Sequence, residues 1–393
     1  MVRKTPAEHF GTYTQNNSIK HRILANYLNA YLGVLSGVVD AVHYIDGFAG
    51  RGTYADNMPG SPLKALTLLG EGKLRFTMSL IEASKPDFEQ LRDSLAEVQA
   101  TANQIESPLI ENGKFSDHLG QILSRKIYTR YRRVATFAFI DPCGVAGLSI
   151  ADIARILSMP FGECLLLWNY DGFNRLLGGA TKGTHDTSVI GDMLASESAL
   201  AEAMALAQTA LDSEAKEHDM LALVVRELRN SANATYVLPF RFFSPNAERT
   251  SHYLIHCCSH PRGFKIMKEV MGKVSLAGEP GTFEFIQNPG ARKQMDMLSP
   301  SSDDVAMAEV RSHLRNGACQ VKVFTQDWVL RPADFRRDAD YRKLLCLLEE
   351  RGVIEVLDKQ GKHLVPAEKR RRAGKATLGP NLLIRLRDKA VEP

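Results

Sequence analysis

The stretch that decides the fold is VHYIDGFAGRGTY, Val42 to Tyr54. Residues able to fill a buried strand run into one acid, Asp46, and then into Gly47, Gly50 and Gly52. Glycine lets a backbone turn tightly and approach a ligand with no Cβ in the way. In an open α/β sheet, ligands bind outside the carboxyl ends of the strands, where the strand order reverses. An acid and three glycines at a strand end fit such a place. The spacing is G-x-x-G-x-G, not the G-x-G-x-x-G of dinucleotide folds, and no G-K-[ST] follows, which argues against NAD and against a P-loop.

Outward from that turn, strand-like and helix-like runs alternate. RFTMSLIEA, NQIESPLI, VATFAFIDP and ECLLLWNYDG read as the second to fifth strands. Between them GSPLKALTLLG, KPDFEQLRDSLAEVQA, SDHLGQILSRK and SIADIARILSM read as helices, the first starting near Ser61 with Pro62 in its first turn. Ser149 and Asp152 approximate a capping box, and Asp117 is expected to cap the helix that follows the third strand. Before the first strand, Ile23, Leu24, Tyr27, Leu28, Tyr31, Leu32 and Leu35 recur at helical spacing, so one face of that segment packs on something. Five strands alternating with helices predict a parallel, doubly wound sheet with right-handed crossovers. After the fifth strand the pattern changes. ATYVLPFRFF and SHYLIHCCSH follow one another without a helix between them, which predicts an antiparallel pair at one edge.

The chain has 393 residues, enough for a large core domain and a smaller unit. Apolar residues at 44% and charged ones at 24% fit an ordinary soluble globular protein. No apolar run is long enough to span a membrane, and the polar N-terminus does not read as a secretory signal. Six scattered cysteines without a C-x-x-C pair predict a reduced, cytoplasmic protein without structural zinc. No metal is expected. His43, His252 and His256 alternate with apolar residues on strands, and His9, His21 and His118 have no ligand partners at a telling spacing.

The net charge of +4 sits in the tail: residues 301–393 hold 19 Lys and Arg against 14 Asp and Glu. Gly, Pro, Asn and Ser crowd residues 281–303, which read as a linker. Beyond it, the helix YRKLLCLLEERG runs into VIEVLDKQGKHLV, two strands around a Lys-Gln-Gly turn, the outline of a winged helix. The expected division is a helical segment at 1–35 packed on the core, a main domain at 36–280, the linker, and a basic α+β domain at 304–393.

DGFAGRG resembles the first motif of class I S-adenosylmethionine-dependent methyltransferases. The sets KHRILANYL, YIDGFAGRG, GSPLKAL, FIDPCG and HYLIHCCSHPRGFKIMKEVM are similar, more narrowly, to the bacterial three-Cys-motif partner protein family, over roughly residues 15–275. The resemblance implies a Rossmann-like methyltransferase fold that binds S-adenosylmethionine. It implies that Asp46, Gly47, Phe48, Gly50 and Gly52 meet the cofactor, that Glu82 accepts both ribose hydroxyls, and that Lys114 and Phe115 stand near the adenine. Methyltransferases often carry an acid where Lys114 stands. Asp141 and Pro142 of FIDPCG lie where nucleic-acid amino-methyltransferases carry D-P-P-[YF] and would face the acceptor. The aromatic of that motif is missing, and Tyr170 or Phe173, with Asn169 nearby, would replace it from the next strand.

Bland readings stand beside these. Asp46–Gly52 would be a strand-to-helix turn, Glu82 a helix N-terminal acid, and Asp141-Pro142 a turn ending a strand. Asn169, Tyr170, Asp171, Asn174 and Arg175 would be ordinary loop polarity. Lys369, Arg370, Arg371, Arg372 and Lys375 would be a solvated charge run, or else, on a winged helix, a phosphate contact on DNA or RNA. The reading is a methyltransferase acting on a nucleic-acid amino group. The alternatives are a catalytically silent partner of a three-Cys-motif protein and a DNA-binding regulator working through the C-terminal domain.

Overall fold

A computed structural model of the chain describes residues 14–98, 100–209, 212–244, 247–276, 283–284, 302–331, 336–372 and 375–387. The chain divides into two compact units, Met1–Ile286 and Gln287–Pro393. Most of the expected linker, 281–303, lies outside the described residues.

The first unit is built on one sheet. Its parallel strands are β1 (Ala41–Asp46), β2 (Arg75–Glu82), β3 (Leu109–Asn112), β4 (Val134–Ile140) and β5 (Glu163–Trp168). The antiparallel pair is β6 (Tyr236–Ser244) and β7 (Ala247–Cys258), and a short β8 (Phe283–Glu284) adds to β6. The order is β3-β2-β1-β4-β5-β7-β6-β8. This is a Rossmann-like α/β sheet carrying an antiparallel pair beyond β5. Every residue of β1, β4 and β5 is buried, as strands covered on both faces require. The chain builds outward from β1 to β2 and β3, then jumps back to place β4 on the other side of β1. The carboxyl ends of β1 and β4 are therefore the switch point.

Around the sheet lie α1 (Gln15–Leu35), α2 (Ser61–Glu71), α3 (Lys85–Ala96), α4 (Phe115–Leu123), α5 (Ile127–Arg130), α6 (Ile150–Leu157), α7 (Tyr170–Thr181), α8 (Ser188–Leu194), α9 (Glu197–Gln208), α10 (Ser213–Asn230) and α11 (Pro261–Leu276). Helix α1 packs against α2 and α11 along its predicted apolar stripe. Three local expectations change. β3 begins at Leu109, later than NQIESPLI suggests, because Pro108 offers no backbone donor and the preceding segment makes only a bridge from Gln104 to Phe76. Lys114, not Asp117, is the N-cap of α4; Asp117 sits in its first turn, where its charge still suits the helix dipole. Ser149 does cap α6 by position, but its side chain makes no capping bond, and Asp152 pairs instead with Arg155 at 3.4 Å.

The second unit is α+β. It holds α12 (Ser302–Leu314), β9 (Cys319–Gln320), α13 (Val321–Val329), α14 (Asp338–Glu350), β10 (Ile354–Leu357), β11 (Arg371–Arg372), β12 (Lys375–Ala376) and β13 (Leu383–Leu386). Phe324 stacks on Trp328 at 4.6 Å with Tyr341 edge-on, and Val310, Leu345 and Ile384 complete the core. The expected hairpin around Lys-Gln-Gly closes with bonds from Asp358 N to His363 O at 2.9 Å and from Val365 N to Val356 O at 2.8 Å, but its second arm is not a strand. Leu364 bridges back to Leu357, but the full ladder partner of β10 is β13. Ile384 of β13 reaches the core, whereas Leu364 is 61% exposed.

Candidate functional site

Tight backbone bonds pin the glycine turn in place. Gly47 N donates to Phe139 O at 3.0 Å, Ala49 N to Ile81 O at 2.9 Å, and Gly60 N to Gly52 O at 2.7 Å. Gly50 and Gly52 adopt φ of +63° and +84°, a region other residues enter only with strain. A Cβ on Gly52 would also stand 3.3 Å from Leu91 and Ser94. Arg51 reaches α3 through an ion pair with Asp87 at 2.9 Å.

Asp46 ends β1 fully buried beneath this turn. It accepts from Phe48 N and from the Tyr44 hydroxyl, both at 3.3 Å. Burial pushes its carboxyl up to about 7; a hydrogen bond from Ser61 pulls the other way, and nearby Asp141 adds to the rise. Glu82 Oε2 accepts from Gly50 N at 2.8 Å, and its Oε1 accepts from Ser84 N at 2.7 Å. Burial raises the Glu82 pKa from its ordinary value, and the amides of Ser84, Gly50 and Ala83 work against it. Glu82 therefore ties β2 to the glycine turn directly.

A cavity of about 330 Å³ opens at the switch point. Phe48, Ala49 and Gly52 form one side, and Asp141, Pro142 and Cys143 another. The first turns of α1 supply Asn16, Asn17, Lys20 and His21, and the β6–β7 pair supplies Phe242 and His252, which face each other across the ladder. Lys20 Nζ stands 2.6 Å from Asp141 Oδ2, with both side chains mostly buried. His21 is held well below its ordinary pKa by burial and then by Lys20 and Lys64. Burial pushes the Cys143 thiol up to about 11, and Asp141 adds to it. The Oδ1 of Asn16 is buried in this region without a hydrogen-bond partner.

The residues singled out from sequence are placed unequally. Phe48, Gly52, Asp141 and Pro142 line the cavity; Asp46 lies under it. Gly47 packs so closely on Ile140 and Phe115 that a Cβ would sit 3.0 Å from each. Phe115 is in the core against Phe48, and Lys114 is exposed at the start of α4. Neither lines the cavity.

Asn169 and Tyr170 do not line it either. The Asn169 Oδ1 accepts from Gly172 N at 2.8 Å and caps α7. The Tyr170 ring packs edge-on against Trp168 and Tyr253, and Phe173 is also in the core. The first turn of α7 carries these rings inward, and neither is among the residues lining the cavity. In the second unit Arg370 is buried: Nη2 pairs with Glu349 at 2.5 Å, Nε donates to Val365 O and Nη1 to Thr377 O. That guanidinium is committed to its own fold. Lys369, Arg371 and Arg372 are exposed.

Sequence reasoning passed over Lys20, His21, Phe242 and His252 as cavity residues. One signal was available for Lys20: it shares the apolar stripe of α1 with Leu24, Tyr27 and Tyr31, where a cation without a partner is costly.

A second polar cluster lies under the same helix. Tyr27 donates its hydroxyl to Glu163 Oε2, and His256 Nε2 stands 3.1 Å from the same oxygen. Glu163, His256 and Cys258 bring their ligand atoms within 4.8 Å of one another. Metal-binding imidazoles are ordinarily oriented by an acceptor on the other nitrogen. His256 Nδ1 has no such partner. Through Tyr27 the cluster anchors α1 to the sheet by hydrogen bonds.

No family model matches the sequence, and no curated protein matches it. Solved structures do. Protein LPL1258 of Legionella pneumophila, of family-model DUF519, is 14% identical with a TM-score of 0.41, over 68% of this chain and 94% of its own. Trm1 from Pyrococcus horikoshii, in complex with S-adenosyl-L-methionine, is 9% identical with a TM-score of 0.37, over 72% and 69%. The plantazolicin methyltransferase BamL, in complex with a triazolic desmethylPZN analog and SAH, is 12% identical with a TM-score of 0.28, over 62% and 85%. At these values the likenesses decide neither ligand nor substrate.

Proposed function

We propose that the first unit is an S-adenosylmethionine-dependent methyltransferase of the three-Cys-motif partner type, acting in the cytoplasm on an amino group of a nucleic-acid base. The observation that carries this reading is the cavity at the switch point, with the glycine turn on one wall and Asp141-Pro142 on another. Two features suit the cofactor. Asn16 Oδ1 is an unpartnered acceptor where an ammonium or hydroxyl donor is wanted. Glu82 is not among the lining residues, but it bonds the glycine turn through Gly50 N, and its oxygens keep lone pairs for a ribose hydroxyl. When bound, the cofactor supplies an electrophilic methyl group on a positively charged sulfur.

The chain's own part is positioning and exclusion of water. Lys20 holds Asp141 through Oδ2, leaving Oδ1 to accept a hydrogen bond from the acceptor amine. The same oxygen takes the proton that the nitrogen sheds as its new bond to carbon forms. His252, half-buried on the cavity wall, offers a ring beside which a planar base could stack, whereas the Tyr170 ring is turned into the core.

The test is calorimetric titration with S-adenosylmethionine and S-adenosylhomocysteine. Binding by the native chain, weakened at least about tenfold in Glu82→Ala by loss of charge-assisted bonds, is the expected result. No heat with either ligand overturns the reading. A catalytically silent partner of a three-Cys-motif protein is favoured by one observation, that Gly144 stands where the D-P-P-[YF] motif has its aromatic. Cofactor binding without any methylation of DNA or RNA when the partner is present would select it.

A further inference from the structure

We propose that residues 358–372, the first part of the excursion between β10 and β13, form a surface that grips the phosphate backbone of a nucleic-acid duplex without reading its sequence. In a winged-helix reading of the second unit this excursion is the wing. The choice of nucleic acid among polyanions rests on the methyl-transfer reading above; the surface itself stands on charge and geometry.

Lys359, Lys362, Lys369, Arg371 and Arg372 are all exposed there, and among the described residues none of them makes an ion pair. The two acids of the segment, Asp358 and Glu368, are outnumbered by these five cations. Asp358 spends Oδ1 on the amides of Gln360 and Lys362, both at 3.0 Å, closing the turn that Gly361 completes at φ +71°. Excess cations in one short segment raise its energy through mutual repulsion, which contact with an anionic partner relieves.

The segment is also ordered. Val365 N donates to Val356 O at 2.8 Å, and buried Arg370 bolts the return path to Glu349, Val365 and Thr377. A surface already held in place loses less conformational entropy on binding. Leu364, 61% exposed, is the most exposed of the large apolar side chains among the described residues. It stands directly after Lys362 and His363, where an apolar side chain would meet sugar or groove floor.

Helix α14 cannot serve as the reading helix. It carries Asp338, Asp340, Glu349 and Glu350 against Arg342 and Lys343. Arg342 is moreover committed to Asp338 at 2.5 Å and to Leu378 O at 2.6 Å. An acidic helix is repelled by phosphates, so contact falls to the excursion and carries no base readout.

The test is fluorescence anisotropy of the full chain with labelled 20-base-pair DNA and RNA duplexes of unrelated sequence, over a range of potassium chloride. The native chain should bind each of them with a linear loss of log affinity against log salt. Arg371→Ala/Arg372→Ala and Lys359→Ala/Lys362→Ala should each flatten that slope by about 1–2, since every phosphate contact contributes roughly 0.9 on B-DNA. Lys343→Ala on α14 should change nothing. The proposal is overturned by absence of salt-dependent binding, by unchanged slopes in both double variants, by strong preference for one sequence, or by tighter binding to anionic vesicles or polyglutamate than to a duplex. The double variants should bind S-adenosylmethionine as the native chain does. If no form of the chain binds the cofactor, the methyltransferase reading falls while the duplex result still decides this one.

Discussion

Helix α1 covers two polar stations on one sheet face, and they differ in what they leave over. At Glu163 the carboxylate takes donors from Tyr27 and His256. At Asp141 the carboxylate takes Lys20 on one oxygen and borders a cavity. Glu163 begins its strand, whereas Asp141 follows the end of β4. The difference follows from the sheet: at the carboxyl ends the chain must leave in loops, and at the switch point adjacent loops depart in opposite directions, so space opens there. A buried polar group with its partners in place holds the fold. One that keeps spare bonding capacity beside a cavity is available for chemistry.

That contrast can be broken by substitution. The largest effect on folding is expected for Glu163→Ala, which strands the Tyr27 hydroxyl and the His256 ring at about 1–3 kcal/mol each. Urea unfolding should show it, while cofactor affinity, measured on the folded fraction, stays unchanged. Lys20→Met should do the reverse: a smaller loss of stability, but methyl transfer reduced by about tenfold or more, as expected when a catalytic acid–base group is no longer held. An equal loss of cofactor affinity and turnover in Lys20→Met would mean that Lys20 serves binding and not Asp141.

Asp46 gives a pH test between these extremes. Its folded pKa is raised to about 7 from 3.8. The folded state then holds the proton more tightly, so the group's contribution to stability is full below about pH 4 and is lost as pH rises through about 7. Asp46→Asn should remove this dependence. Urea midpoints at pH 5 and pH 8 should therefore converge in the variant relative to the native chain. The smallest effect is expected for Asn169→Ala, which removes a helix cap worth about 1 kcal/mol. It should leave methyl transfer unchanged; a large loss of turnover would restore Asn169 to the acceptor site.

The sheet was legible because its signals are local. Buried parallel strands are continuous apolar runs, and the acid-glycine turn needs positive φ at Gly50 and Gly52 that few other residues supply. The change from alternation to two consecutive strands announced the antiparallel pair in the same way. Side-chain direction was not legible. Asn169 and Tyr170 adjoin a strand end in sequence, yet the cap and first turn of α7 rotate one into a backbone bond and the other into the core. Arg370 lies in a run of four cations and is the one turned inward, because Glu349 waits on a helix 21 residues earlier.

The sequence by itself determined where the strands begin to bend around a ligand-sized space, since backbone conformation and burial period are properties of neighbouring residues. Only the tertiary structure decided which side chains share that space. Lys20, Asp141, Phe242 and His252 come from segments more than a hundred residues apart in places, and their meeting depends on how α1 and the β6–β7 pair pack onto the sheet.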